Sequence, residues 1–271
     1  MKNSDIHYHL NGDILIFAKD TCFCVHKIIL EMASPALLDK LEEGYDLPTI
    51  NLPDENSSTI DIALSIIYPR HFIMPIWSNV EALLHFADKY TICKVYVAGI
   101  AFLDQNFKQK PEYALYLANK YQLSFLFTET SKLILDQFPT YEYAPALKRL
   151  PREVYSMLET RYLKYMHDFA RLSIHFFLST YKHRCGKVAL HNKELTQEIE
   201  KRILIIVEKP IKPPSTVWDI MHEHINVADN IECHKGFMKH LDERFKSIFG
   251  KFEPLNSVEG GRYISISRRW K

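Results

Sequence analysis

His183-x-Cys185 and Cys233-His234 are the residues whose types come closest to offering chemistry. Each pairs a thiol with an imidazole, and each lies at an end of a predicted helix. Brought together, the two pairs would hold zinc with two nitrogens and two sulfurs. Neither has the usual C-x-x-C spacing, and neighbouring ligands strain a tetrahedron. Ordinary packing is the competing reading. Cys22-x-Cys24 lies in an apolar run, where both thiols fall on one face of a strand. It reads as a metal pair or, more plainly, as two small buried side chains. His222-Glu223-His224 does not fit a zinc protease, because residues two apart on a helix point in different directions. No nucleophile elbow, phosphate loop or dinucleotide-binding glycine motif occurs. The expectation is a non-enzymatic protein without a cofactor, zinc being the one candidate.

Charge offers equally little. Thirty-four basic against 33 acidic residues leave a formal net charge of +1, so no strong field recruits nucleic acid or anionic lipid. The basic clusters KHRCGK (182–187) and SRRWK (267–271) read as solvated surface or as phosphate contacts. Five scattered cysteines suit a reducing compartment, cytoplasm or nucleus, better than a disulfide framework. The opening MKNSDIHYHL does not resemble a signal peptide. No run approaches the ~20 apolar residues of a membrane span.

The elements that must position these residues follow from periodicity. Residues 13–18 and 21–25 read as two strands around a Lys19-Asp20 turn. The stretch from His26 to Ala33 reads as a short helix. Ser34 then caps a second helix with Pro35 at its first position, Leu37, Leu38 and Leu41 on its apolar side, and Gly44 at its end. Residues 48–53 are extended. Ile60, Ala63, Leu64 and Ile67 mark a buried helical face that Tyr68-Pro69 ends. Ser78 and Glu81 suggest a capping box for a helix carrying Val80, Leu83, Leu84 and Ala87. A further helix covers about 93–103.

From 111 onward the expectation is helical. Pro111 opens one helix, Ser124 caps another that runs to about Phe138, and Pro145 and Pro151 bracket a linker. A long helix then carries Tyr155, Leu158, Tyr162, Tyr165, Phe169, Leu172 and Phe176, and a later one, at 236–252, carries Met238, Leu241, Phe245, Ile248 and Phe252. These bulky seams suit packing within one domain better than a dimeric coiled coil. PIKPP (210–214) is a rigid connector.

The set Phe23, His26, Lys27, Leu30, Ser34 and Leu37, with Asp13 upstream, resembles the BTB/POZ domain, and INLPDE, AL-SIIYP and ADKY follow in the family's order over about 7–105. SPALLDKL and PEYALYLANKYQL look most like fungal BTB proteins with a helical extension. The resemblance implies an α+β BTB fold over 1–108, a small sheet flanked by helices. A BACK-like helical extension over 109–185 and a C-terminal helical region with a basic tail over 186–271 would follow. It implies protein–protein interaction, including homodimerisation through the BTB domain. It also implies an adaptor role for a cullin-type ubiquitin ligase, with Leu41 and Glu43 the nearest match to the family's cullin contact. A transcriptional or chromatin regulator using the basic tail is the alternative. A metal-dependent hydrolase built on the His/Cys-rich half is the remaining one.

Overall fold

The computed structural model describes residues 2–68 and 73–170, together with scattered positions between 193 and 270. The chain divides into two compact units, Met1–Phe107 and Lys108–Lys271.

The first unit is α+β. Its strands are β1 (Lys2–Tyr8), β2 (Ile14–Ala18), β3 (Thr21–Val25), β4 (Leu41–Glu42) and β5 (Thr49–Asn51). They form one mixed sheet in the order β1-β3-β2-β5-β4. The β2–β3 hairpin is antiparallel and in register throughout, from Ile14 opposite Val25 to Ala18 opposite Thr21. Lys19 takes a left-handed φ of 51° in its turn. β1 was not expected from the sequence. It pairs parallel to β3 with an irregularity between Asn3 and Tyr8, and only Ser4 and His7 of its residues are buried. The irregularity replaces the two-residue alternation by a spacing of three, which removes the usual signal of a strand.

Between β3 and β4 lie α1 (Lys27–Ala33) and α2 (Pro35–Leu38). The second helix is one turn long and does not continue to Gly44. Leu41 lies in β4 opposite Ile50, so its apolar side chain completes a sheet edge and not a helical face. The helices α3 (Ser57–Ile67), α4 (Val80–Lys89) and α5 (Cys93–Asn106) complete the unit. Ile14, Ile16, Phe23, Leu30, Ile50, Ile60, Leu64 and Leu83 belong to its continuous apolar core. α4 begins behind Asn79 rather than in a Ser78 capping box. The Asn79 side chain turns back to accept from the Ile76 N–H.

A 3₁₀ turn, Phe107–Gln109, precedes the helices of the second unit: α6 (Pro111–Lys120), α7 (Ser124–Asp136), α8 (Phe138–Tyr141), α9 (Pro145–Lys148) and α10 (Arg152–Ala170). No strand follows Asn51 among the described residues. Two details differ from expectation. Ser124 is the first residue of α7, with Leu123 at the cap position and no side-chain cap, and the stretch expected as a linker contains α9. Pro145 opens α9, where a missing N–H costs nothing.

The aromatic seam of α10 packs within its own unit. Phe138 meets Tyr155 and Tyr162 at centroid distances of 6.3 and 5.1 Å, and the Tyr165 hydroxyl donates to the Lys212 carbonyl. Leu172, Phe176 and the seam at 236–252 fall outside the side chains described, apart from isolated positions.

Candidate interaction surface

The motif residues of the first unit hold elements together. Asp13, just ahead of β2, accepts the Lys27 N–H at 2.5 Å and so satisfies a donor in the first turn of α1. Phe23, Leu30 and Leu37 lie in the core. Ser34 is fully buried at the α1–α2 corner. Its hydroxyl accepts the Leu37 N–H at 3.1 Å and donates to the Tyr90 carbonyl at the end of α4. One hydroxyl therefore caps one helix and satisfies a terminal carbonyl of another.

His26 is joined to Tyr68, beyond the end of α3. Its N–H donates to the tyrosine hydroxyl at 2.9 Å, and its Nδ1 lies 3.0 Å from the same oxygen. Around this pair stand two imidazoles that sequence reasoning missed. His9 stacks on Tyr68 at 4.9 Å and meets His26 at 5.2 Å, while buried His7 lies 5.5 Å from Tyr68. His7 Nε2 is 2.8 Å from Ser65 Oγ on α3, and Ser4 donates to Asp61 on the same helix. β1 is thus fastened to α3 by polar side chains. The His-Tyr-His triplet in the opening stretch was the only sequence signal. Burial pushes the Tyr68 phenol and the Asp61 carboxyl above their ordinary ranges, and Ser4 offsets part of the latter shift.

Cys22 and Cys24 are buried in β3, and burial raises both thiols above the ordinary range. Among the described residues, no three His, Cys, Asp or Glu side chains gather as a metal site. His183, Cys185, Cys233, His234 and the 222–224 triplet lie outside the described residues.

With Phe23, Leu30, Ser34 and Leu37 buried, other side chains face out. Ile28 and Met32 sit one turn apart on α1 and are 59% and 82% exposed. Glu42 and Glu43 are exposed, and Tyr45 is wholly so. The turn carrying Tyr45 is tight. A Cβ at Gly44 would collide with the Leu47 carbonyl oxygen and crowd the Thr49 methyl.

Residues 7–107 are a BTB/POZ domain. No curated protein matches the chain. A BTB/POZ domain is a protein-interaction domain, and that is the class of function this part of the chain supports. The family match leaves 108–271 uncovered. No helix among the described residues is long and apolar enough to cross a membrane.

Proposed function

We propose that the chain is a non-enzymatic adaptor that pairs through its BTB domain and presents the 41–46 stretch to a cullin-type ubiquitin ligase. The observation that carries the reading is Tyr45. It is a fully exposed aromatic next to a tight turn that demands glycine at 44, flanked by Glu42, Glu43 and Asp46. An exposed aromatic in a charged rim suits the anchor of a protein interface. Leu41 is half-buried in β4 and Glu43 exposed beyond it, so the two belong to a sheet edge leading into that turn. Cytoplasm or nucleus is the compartment such a role requires.

Pull-down of a cullin amino-terminal region by the full chain tests the reading. Wild type is expected to capture it, and Tyr45→Ala with Glu43→Lys to lose most of the capture. Absence of capture by wild type overturns the adaptor role. Pairing is read separately by light scattering. A dimer that Ile28→Glu with Met32→Glu converts to a monomer supports pairing through α1, and a wild-type monomer ends it. The regulator alternative relied on SRRWK for nucleic acid, yet Arg268 is already engaged by Asn119 and Trp270.

A further inference from the structure

β1 lies at an edge of the sheet, and its two buried side chains, Ser4 and His7, are both polar. Its apolar residues Ile6 and Tyr8 are exposed, and none of the described core residues belongs to it. Beyond its ladder to β3, the strand is held to α3 by polar contacts. Ser4 donates to Asp61 at 2.7 Å, and His7 Nε2 lies 2.8 Å from Ser65 Oγ. The second contact fixes a tautomer. The Ser65 hydroxyl has one proton and donates it to the Asp61 carbonyl at 2.8 Å. Nε2 must then carry the imidazole proton and donate it to Ser65, so a second proton enters at Nδ1. His7 is 0% exposed, with the Tyr68 and His9 rings 5.5 and 5.8 Å from its own. A charge placed there gives up its hydration, which a detached strand would keep.

The geometry points to β1 as an acid-released strand: the docked His7 excludes a second proton, the detached one accepts it, and mild acid therefore frees β1 from α3. The backbone edge of β3 is then bared while the apolar core stays in place. The other titratable groups on this face are His9 just past β1, Cys24 of β3, Asp13 and His26 at the ends of the hairpin, and Tyr68 and Asp61 of the α3 region. Lys2 and Asp5 of β1 act on Asp61. His9 and His26 are half-buried and reach solvent, and Asp13 is exposed and holds the Lys27 N–H. Asp61 works in the opposite direction. Burial raises its carboxyl, so the docked state holds that proton more tightly and uptake there favours docking. Loss of β1 in acid thus has its source in the imidazole and not in the carboxyl that Ser4 contacts.

Deuterium uptake of the full chain at pH 7.5 and pH 5.5, with labelling times scaled for the intrinsic pH dependence of exchange, tests the proposal. An imidazole in water takes up its proton near pH ~6.5, so protection of the β1 amides should fall about tenfold at the lower pH. Protection of the β2–β3 hairpin should hold. His7→Gln keeps a donor for Ser65 but takes no charge, so its β1 protection should be the same at both pH values. Unchanged β1 protection in wild type, a fall shared equally by the hairpin, or the same fall in His7→Gln overturns the proposal. A second measurement needs no variant. Long-range ¹H–¹⁵N correlation spectra of the wild-type chain at pH 7.5 should show His7 as the neutral Nε2–H tautomer. The Nδ1–H tautomer or an imidazolium at that pH overturns the proposal as well.

Discussion

Two helix endings, one in each unit, are written almost alike: Ala87-Asp-Lys-Tyr-Thr-Ile92 and Ala118-Asn-Lys-Tyr-Gln-Leu123. Both close in the same way. Thr91 and Gln122 take left-handed φ values of 54° and 57°. Ile92 donates back to Ala87, and Leu123 to Ala118, each at 2.8 Å. These are Schellman closures, in which the residue past the cap turns left-handed and returns two N–H groups to orphan carbonyls. The surroundings differ. In the BTB domain the Tyr90 carbonyl also accepts from Ser34, and its hydroxyl donates to Glu55, which Lys89 meets at 2.6 Å. In the helical unit Tyr121 is partly exposed and Lys120 lies 5.4 Å from its ring. The same local signal therefore ends a helix in both places, and in the BTB domain it also anchors the corner between α1 and α2.

Breaking that anchor should give the largest effect. Ser34→Ala removes a helix cap and leaves the buried Tyr90 carbonyl without this donor, at a cost of about 1–3 kcal/mol in urea unfolding. Ser124→Ala, at a position that caps nothing through its side chain, should stay within about 0.5 kcal/mol of wild type. Equal losses at the two serines would dissolve the distinction. Tyr90→Phe removes the hydroxyl bond to Glu55 and should cost about 1 kcal/mol by the same measurement.

Thr91→Gly and Gln122→Gly test what the two endings share. Relief of the left-handed backbone outweighs the extra chain entropy of glycine, so each should stabilise by a few tenths to about 1 kcal/mol. Similar gains would show that the closures are local. A gain at 122 with a loss at 91 would show that the Ser34 anchor reaches the turn itself.

The smallest effect concerns alkali. The hydrogen bond it donates to Glu55 raises the Lys89 ammonium above the ordinary lysine range, and burial raises the Tyr90 phenol above the ordinary tyrosine range. For both groups the folded state holds the proton more tightly than the unfolded state. Their contribution is therefore fully present below pH 10 and lost as pH rises through the folded values. Lys89→Met with Tyr90→Phe should flatten the alkaline decline of the melting temperature, and an unchanged slope would place that decline elsewhere.

Much of the BTB domain was legible because its signals are local or fixed in spacing. The β2–β3 alternation, the Ser34-Pro35 corner and the 60–67 helical face need no knowledge of distant contacts. β1 was not legible, since its two inward residues are polar and three apart, and Ser65 and Asp61, far along the chain, give them their partners. Leu41 misled for a related reason. At i+4 from Leu37 it fits a helix, yet its pairing with Ile50 decides otherwise. Of the candidate surface, the motif residues could be read from the sequence, but not that Phe23, Leu30, Ser34 and Leu37 are buried while Asp13 and Lys27 stay exposed. The contacts of Ile266, Arg268 and Trp270 were invisible, because Ser131, Asn119 and Phe127 acquire meaning only when residues over a hundred positions away rest on them.

The inward turn of the Ser34 corner has a consequence for how such a domain can change. The hydroxyl, the carbonyls and the apolar side chains behind α1 are committed to the fold, while Ile28 and Met32 on its outer side are not. Substitutions on that outer side can therefore accumulate at little thermodynamic penalty, and a lineage can exchange one partner for another without passing through an unfolded ancestor.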